Sequence, residues 1–105
     1  MTKTIFKKII DKEIPSTFLY EDEFCIAIND IHPKAPLHIL VIPKKAIPSL
    51  MEVEESDKDL LSHIIFVANK LAKENKCEGY QVKFNVGSKG GQEIFHLHLH
   101  LLGWF

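Results

Sequence analysis

Three of the chain's six histidines stand at alternate positions, His96, His98 and His100. On an extended strand such residues share one face and step about 6.6 Å apart. Three imidazoles therefore project together, while Phe95, Leu97, Leu99 and Leu101 project the other way, under a long helix. Three histidines can make a catalytic zinc shell, but along a strand the outer two lie about 13 Å apart. One ion reaches both only if the strand bends strongly. The spacing suits an extended anion better: the middle ring attacks an electrophilic phosphorus, and its neighbours donate hydrogen bonds to the non-bridging oxygens and the leaving group. On this reading neutral His98 is the nucleophile. Its far nitrogen donates to a backbone carbonyl, which fixes the tautomer, and no metal or other cofactor is expected.

The stretch just before the histidines fits an anion. Gly87, Gly90 and Gly91 allow backbone N–H groups to approach closely, and Ser88, Lys89 and Gln92 add donors. The stretch matches neither the P-loop pattern nor the dinucleotide fingerprint. All thirteen basic residues are lysines, so a phosphate must be held without the guanidinium fork. A net charge of -1 gives no support to nucleic-acid binding through bulk electrostatics. No apolar run is long enough to cross a membrane, the N-terminus has no signal-peptide pattern, and Cys25 and Cys77 read as inert thiols. A cytoplasmic protein is expected.

These groups need a scaffold, and 105 residues allow one domain, residues 1–105. Ile5, Phe6, Ile9 and Ile10 recur at helical spacing, and Ile14-Pro15 stops that short helix. Residues 17–21 and 24–29 read as strands, residues 30–36 as a proline-bearing loop, and residues 38–42 as a strand ending at Pro43. A long helix follows, capped by Ser56, with Leu60, Leu61, Ile64, Ile65, Ala68, Leu71 and Ala72 as its apolar stripe. It should end near Cys77, with Gly79 in the terminal turn. Tyr80, Val82, Phe84 and Val86 alternate as a half-buried strand, and residues 94–102 as its hairpin partner. The order predicts an α+β fold with a five-stranded antiparallel sheet, one short helix and one long helix. So small a core makes a dimer a reasonable source of further burial.

His96-Leu97-His98-Leu99-His100-Leu101-Leu102 matches the His-x-His-x-His-x-x signature of the histidine triad family. Gly90-Gly91-Gln92, Asp30-Ile31 and the run from Pro36 to Lys44 also resemble that family, so the similarity extends from Ile5 to Gly103. The resemblance is strongest to its nucleotide-binding branch, which hydrolyses nucleoside phosphoramidates. It implies a homodimer whose two sheets join, with a purine nucleotide site in each protomer. His98 takes the nucleophile's place, forming a nucleotidyl-histidine intermediate; His100 contacts the α-phosphate, and His96 and His38 complete the cluster. Asp30, with Ile31 beside it, matches the acid that binds the ribose hydroxyls. Ile5, Phe6, Ile9 and Ile28 match the apolar wall around the base, and Asn85, Gly91 and Gln92 the phosphate-side contacts. Glu93 stands near the scissile bond, where animal relatives carry serine. His32 matches no role. Thr4 and Lys7 replace a Cys-x-x-Cys zinc pair of some relatives, and Ala46 a common histidine. A dinucleoside polyphosphate hydrolase, a metal-dependent hydrolase and a non-catalytic nucleotide-binding module remain the alternatives.

Overall fold

The computed structural model describes residues 3–105. Helix α1 (Ile5–Ile10) opens on Thr4, whose hydroxyl accepts the Lys7 N–H at 3.1 Å. It buries Phe6 and Ile9 and closes on Asp11, after which Lys12 takes a left-handed φ of 61°. Five strands follow, β1 (Tyr20–Glu21), β2 (Cys25–Asn29), β3 (Leu37–Pro43), β4 (Gly79–Lys83) and β5 (Leu99–Trp104). They form one antiparallel sheet in the order β1-β2-β3-β5-β4. Helix α2 (Lys58–Glu74) joins β3 to β4.

Side chains alternate across the sheet, and each face is covered by a different helix. Cys25, Ala27, Ile39, Val41, Leu99 and Leu101 pack on Ile64, Val67, Ala68, Leu71 and Ala72 of α2. Ile26, Ile28, Leu40 and Ile42 pack on Phe6 and Ile9 of α1. The strict period of two then decides where the imidazoles go. His38 alternates with Ile39 and His100 with Leu99 and Leu101, so both rings emerge on the α1 face, away from α2.

Several elements differ from the sequence pattern. Residues 94–98 do not join the β5 ladder, because their polar groups bond to the end of β3 and the stretch that follows it: His96 Nε2 to Pro43 O at 2.7 Å and Leu97 N–H to Ile47 O at 2.7 Å. Phe95 is thereby left 45% exposed instead of lying under α2. Ser56 does not cap α2: it lies in the turn Glu55–Asp57 ahead of the helix, which Asp57 closes by accepting the Glu54 N–H at 3.0 Å, and Asp57, at the N-cap of α2, makes no side-chain bond to the helix itself. Val67, not Ile65, completes its buried stripe. The helix closes through Asn75 Nδ2 to Leu71 O and Cys77 N–H to Ala72 O, with Lys76 at φ 59° making the turn; Gly79 already belongs to β4. Strand β4 is exposed throughout rather than half-buried, since among the described residues no strand lies beyond it.

Candidate active site

A cleft of about 280 Å³ opens on the α1 face. One wall is apolar: Ile5, Phe6 and Ile9 from α1, Ile28 from β2 and Leu40 from β3. The loop after β2 adds Asn29, Asp30, Ile31, His32 and Lys34, and the far end is formed by Asn85, Gly91, Glu93, Ile94, His98 and His100. The sequence brings nine of its ten expected substrate-side residues to this one cavity. Gln92 is the exception. It is buried beneath the loop, its carboxamide oxygen accepting the Gly87 N–H at 3.0 Å and its nitrogen donating to Pro48 O and Ile94 O. Its own N–H donates to Gly87 O at 3.0 Å. Both hydrogen-bonding ends of Gln92 hold the glycine loop in shape, with Gly87 (φ 72°) and Gly91 (φ 90°) in conformations that side chains disfavour.

Of the four clustered histidines, His98 and His100 line the cleft, and His96 and His38 stand behind them. Hydrogen bonds assign their protons. His96 Nε2 lies 2.7 Å from Pro43 O, a pure acceptor, so this nitrogen carries the hydrogen. His98 Nδ1 lies 2.7 Å from the His96 carbonyl and donates to it, leaving the Nε2 lone pair free. The Lys34 N–H donates to His38 Nδ1 at 3.1 Å, so His38 is protonated on Nε2. That N–H donates to His100 Nδ1 at 3.0 Å, with Asp30 Oδ2 3.4 Å away. In the neutral ring the proton of His100 is then on Nε2, facing the cleft; Asn85 Nδ2, itself a donor, lies 3.4 Å away, so in this tautomer the two nitrogens do not bond to each other and both face outward as donors. The backbone thus makes His98 a base or nucleophile and its neighbour His100 a donor, with ring centres 5.0 Å apart. The Phe6 ring meets His98 edge-on at 4.9 Å and restrains it.

Electrostatics keep the cluster uncharged. Burial lowers the proton affinity of His38, His96 and His98 below the usual histidine value. His100 falls to about 4, first through burial and then through the adjacent His98 and His38. Asp30 partly offsets this for His38, His98 and His100. Its other oxygen accepts the His32 N–H at 2.8 Å, the turn that carries His32 and Ile31 to the cleft mouth. His32 and Lys34 are lining residues that the sequence motif does not reveal; the only signal for His32 is an aspartate two residues ahead of it.

Two groups of described residues bring three metal-ligand atoms within 4.8 Å of one another, Asp30/His38/His100 and Asp22/Cys25/His63. In the first, the nitrogens an ion would need are engaged with each other. In the second, Asp22 accepts from the Tyr20 hydroxyl, His63 and the Phe24 and Cys25 N–H groups. Burial alone would raise its carboxyl, but these bonds outweigh it and hold the group well below the usual carboxylate range. This cluster ties the β1–β2 turn to α2. The Thr4 and Lys7 positions supply a helix cap and a lysine, a pair that does not fit zinc.

The family model described as scavenger mRNA decapping enzyme C-term binding matches residues 3–104. A crystal structure of a HIT family hydrolase from Legionella pneumophila superposes with a TM-score of 0.93 at 47% identity, covering 96% of this chain and 92% of that one. This chain belongs to the histidine triad family. A histidine triad protein from Clostridium difficile gives a TM-score of 0.93 at 48% identity, over 100% of this chain and 95% of that one. Among curated relatives, a 14 kDa zinc-binding protein of Zea mays is 48% identical over 103 residues, 95% of this chain and 80% of that protein. In this histidine triad chain the three signature histidines divide between two environments, one buried behind the cleft and two at its wall.

Proposed function

We propose that this histidine triad protein is a hydrolase of purine nucleoside 5′-phosphoramidates that works through a nucleotidyl-histidine intermediate. The observation that carries the reading is the 2.7 Å bond from His98 Nδ1–H to the His96 carbonyl. It leaves an unprotonated Nε2 in a cleft whose other wall is apolar. The base packs on Ile5, Phe6, Ile9, Ile28 and Leu40, and the Asp30 carboxylate accepts the ribose hydroxyls. His98 Nε2 attacks the α-phosphorus. The P–N bond breaks, its electron pair goes to nitrogen, and the nitrogen leaves as the amine after taking up a proton from solvent, which the attacking water of the next step gives back. Water then attacks phosphorus, breaks the P–Nε2 bond and releases the nucleoside monophosphate. His100 Nε2–H donates to the phosphoryl oxygens as charge builds on them, whereas the N–H groups of Gly90, Gly91 and Gln92 are spent inside the loop on Gly87 O and Ser88 O.

A second copy of the chain completes the molecule in this reading, through the open edge of β4. His98→Asn tests the chemistry: AMP binding is retained, and hydrolysis of adenosine 5′-phosphoramidate falls by several orders of magnitude. Near-wild-type turnover by His98→Asn would end the covalent reading.

A further inference from the structure

Glu93 has no part in the steps above, although it lines the histidine end of the cleft together with Asn85, Gly91 and His98. Its position is set by its neighbours. The Gln92 side chain is bonded on both sides, to Gly87 N–H and Pro48 O and, across residue 93, to Ile94 O at 3.0 Å. The Glu93 backbone is therefore held between two fixed residues, and the residue is exposed and lines the cavity. Asp30, Lys34 and His32, the other ionisable groups of the cleft besides His98 and His100, all come from the loop after β2. The imidazoles do not neutralise a carboxylate here, because the proton each ring holds is the single one of a neutral tautomer.

A bound phosphoryl group is already an anion. A carboxylate beside it repels a leaving group that carries further negative charge and attracts one that carries a remote positive charge. We propose that Glu93 is a specificity-determining residue for the leaving group, selecting phosphoramidates whose amine bears a second, cationic nitrogen and disfavouring those whose amine bears an acid. The assignment rests on the reading of this cleft as a nucleotidyl-transfer site. The remote charge takes no part in bond breaking; the P–N electron pair still goes to the departing nitrogen.

The test uses three adenosine 5′-phosphoramidates whose leaving amines have equal length and end in an ammonium, a methyl or a carboxylate group. Hydrolysis is followed with the wild type, Glu93→Gln and Glu93→Lys, and binding of each compound is measured on the His98→Asn protein. The wild type ranks ammonium over methyl over carboxylate, with a spread of roughly tenfold in kcat/KM at low salt that narrows at high salt. Glu93→Gln draws the three together and Glu93→Lys inverts the order. A wild type without that ranking, or a ranking that survives Glu93→Gln, overturns the assignment. If none of the three is hydrolysed while binding to His98→Asn still follows charge, the Glu93 assignment stands and the chemistry given to His98 fails. Ordinary turnover with no ranking by charge fails the Glu93 assignment alone.

Discussion

At the scale of single residues, reactivity depends on which ring nitrogen carries the proton, and here the main chain decides it. The His96 carbonyl draws the His98 proton to Nδ1, and the Lys34 N–H blocks Nδ1 of His38, which passes a donor to His100. Burial then keeps these rings neutral. Their proton affinities are lowered, so the nucleophile stays unprotonated on the acid side. The acid limb of kcat/KM is expected below the ordinary histidine value of 6.5. Stability carries the same sign: the unfolded chain takes up protons that the folded rings refuse, so stability is complete above 6.5 and declines as pH falls toward about 4, the His100 value. A pH–rate profile whose acid limb lies above 6.5 would contradict this. The signature histidines were legible from residue type and spacing alone; the apolar wall came only through the family resemblance, because a helical stripe of Ile5, Phe6 and Ile9 reads equally well as core. Gln92 was not legible, because a glutamine after two glycines reads as a donor to a ligand, and only the course of the chain past Pro48 shows that its groups are spent inside the protein.

At the scale of elements, alternation predicted that His100 faces opposite to Leu99 and Leu101, and this holds in β5. It did not predict where the ladder begins. His96 and His98 keep the alternating pattern but lie before Leu99, because their segment bonds to residues 43–48 and not to β4. Pattern reports a local period; partners are a tertiary matter. Gly103 shows how tightly the end of β5 is fitted. A Cβ there would meet Cys77 Sγ at 2.5 Å and Leu37 Cδ2 at 3.2 Å. Gly103→Ala should cost about 1–3 kcal/mol, lowering Tm by roughly 5–15 °C, and adding Cys77→Ala should recover part of the loss. Unchanged thermal unfolding of Gly103→Ala would show that the contact is not tight.

At the scale of the whole molecule, β4 is the outermost strand, with Tyr80 39% and Val82 43% exposed. The Tyr80 hydroxyl bonds to Asn69 of α2, one turn from Phe66, which is 71% exposed. An open edge beside exposed apolar side chains invites a second copy. Light scattering should give twice the 12.0 kDa chain mass, and Val82→Glu, by placing like charges across the joined edge, should give the single mass. A wild-type monomer would contradict the pairing. The chemistry itself is tested most directly by mass spectrometry of the protein quenched soon after mixing with adenosine 5′-phosphoramidate. A nucleotidyl group on His98, absent from His98→Asn, is the predicted result; turnover with no adduct, or with the adduct on another histidine, would contradict it.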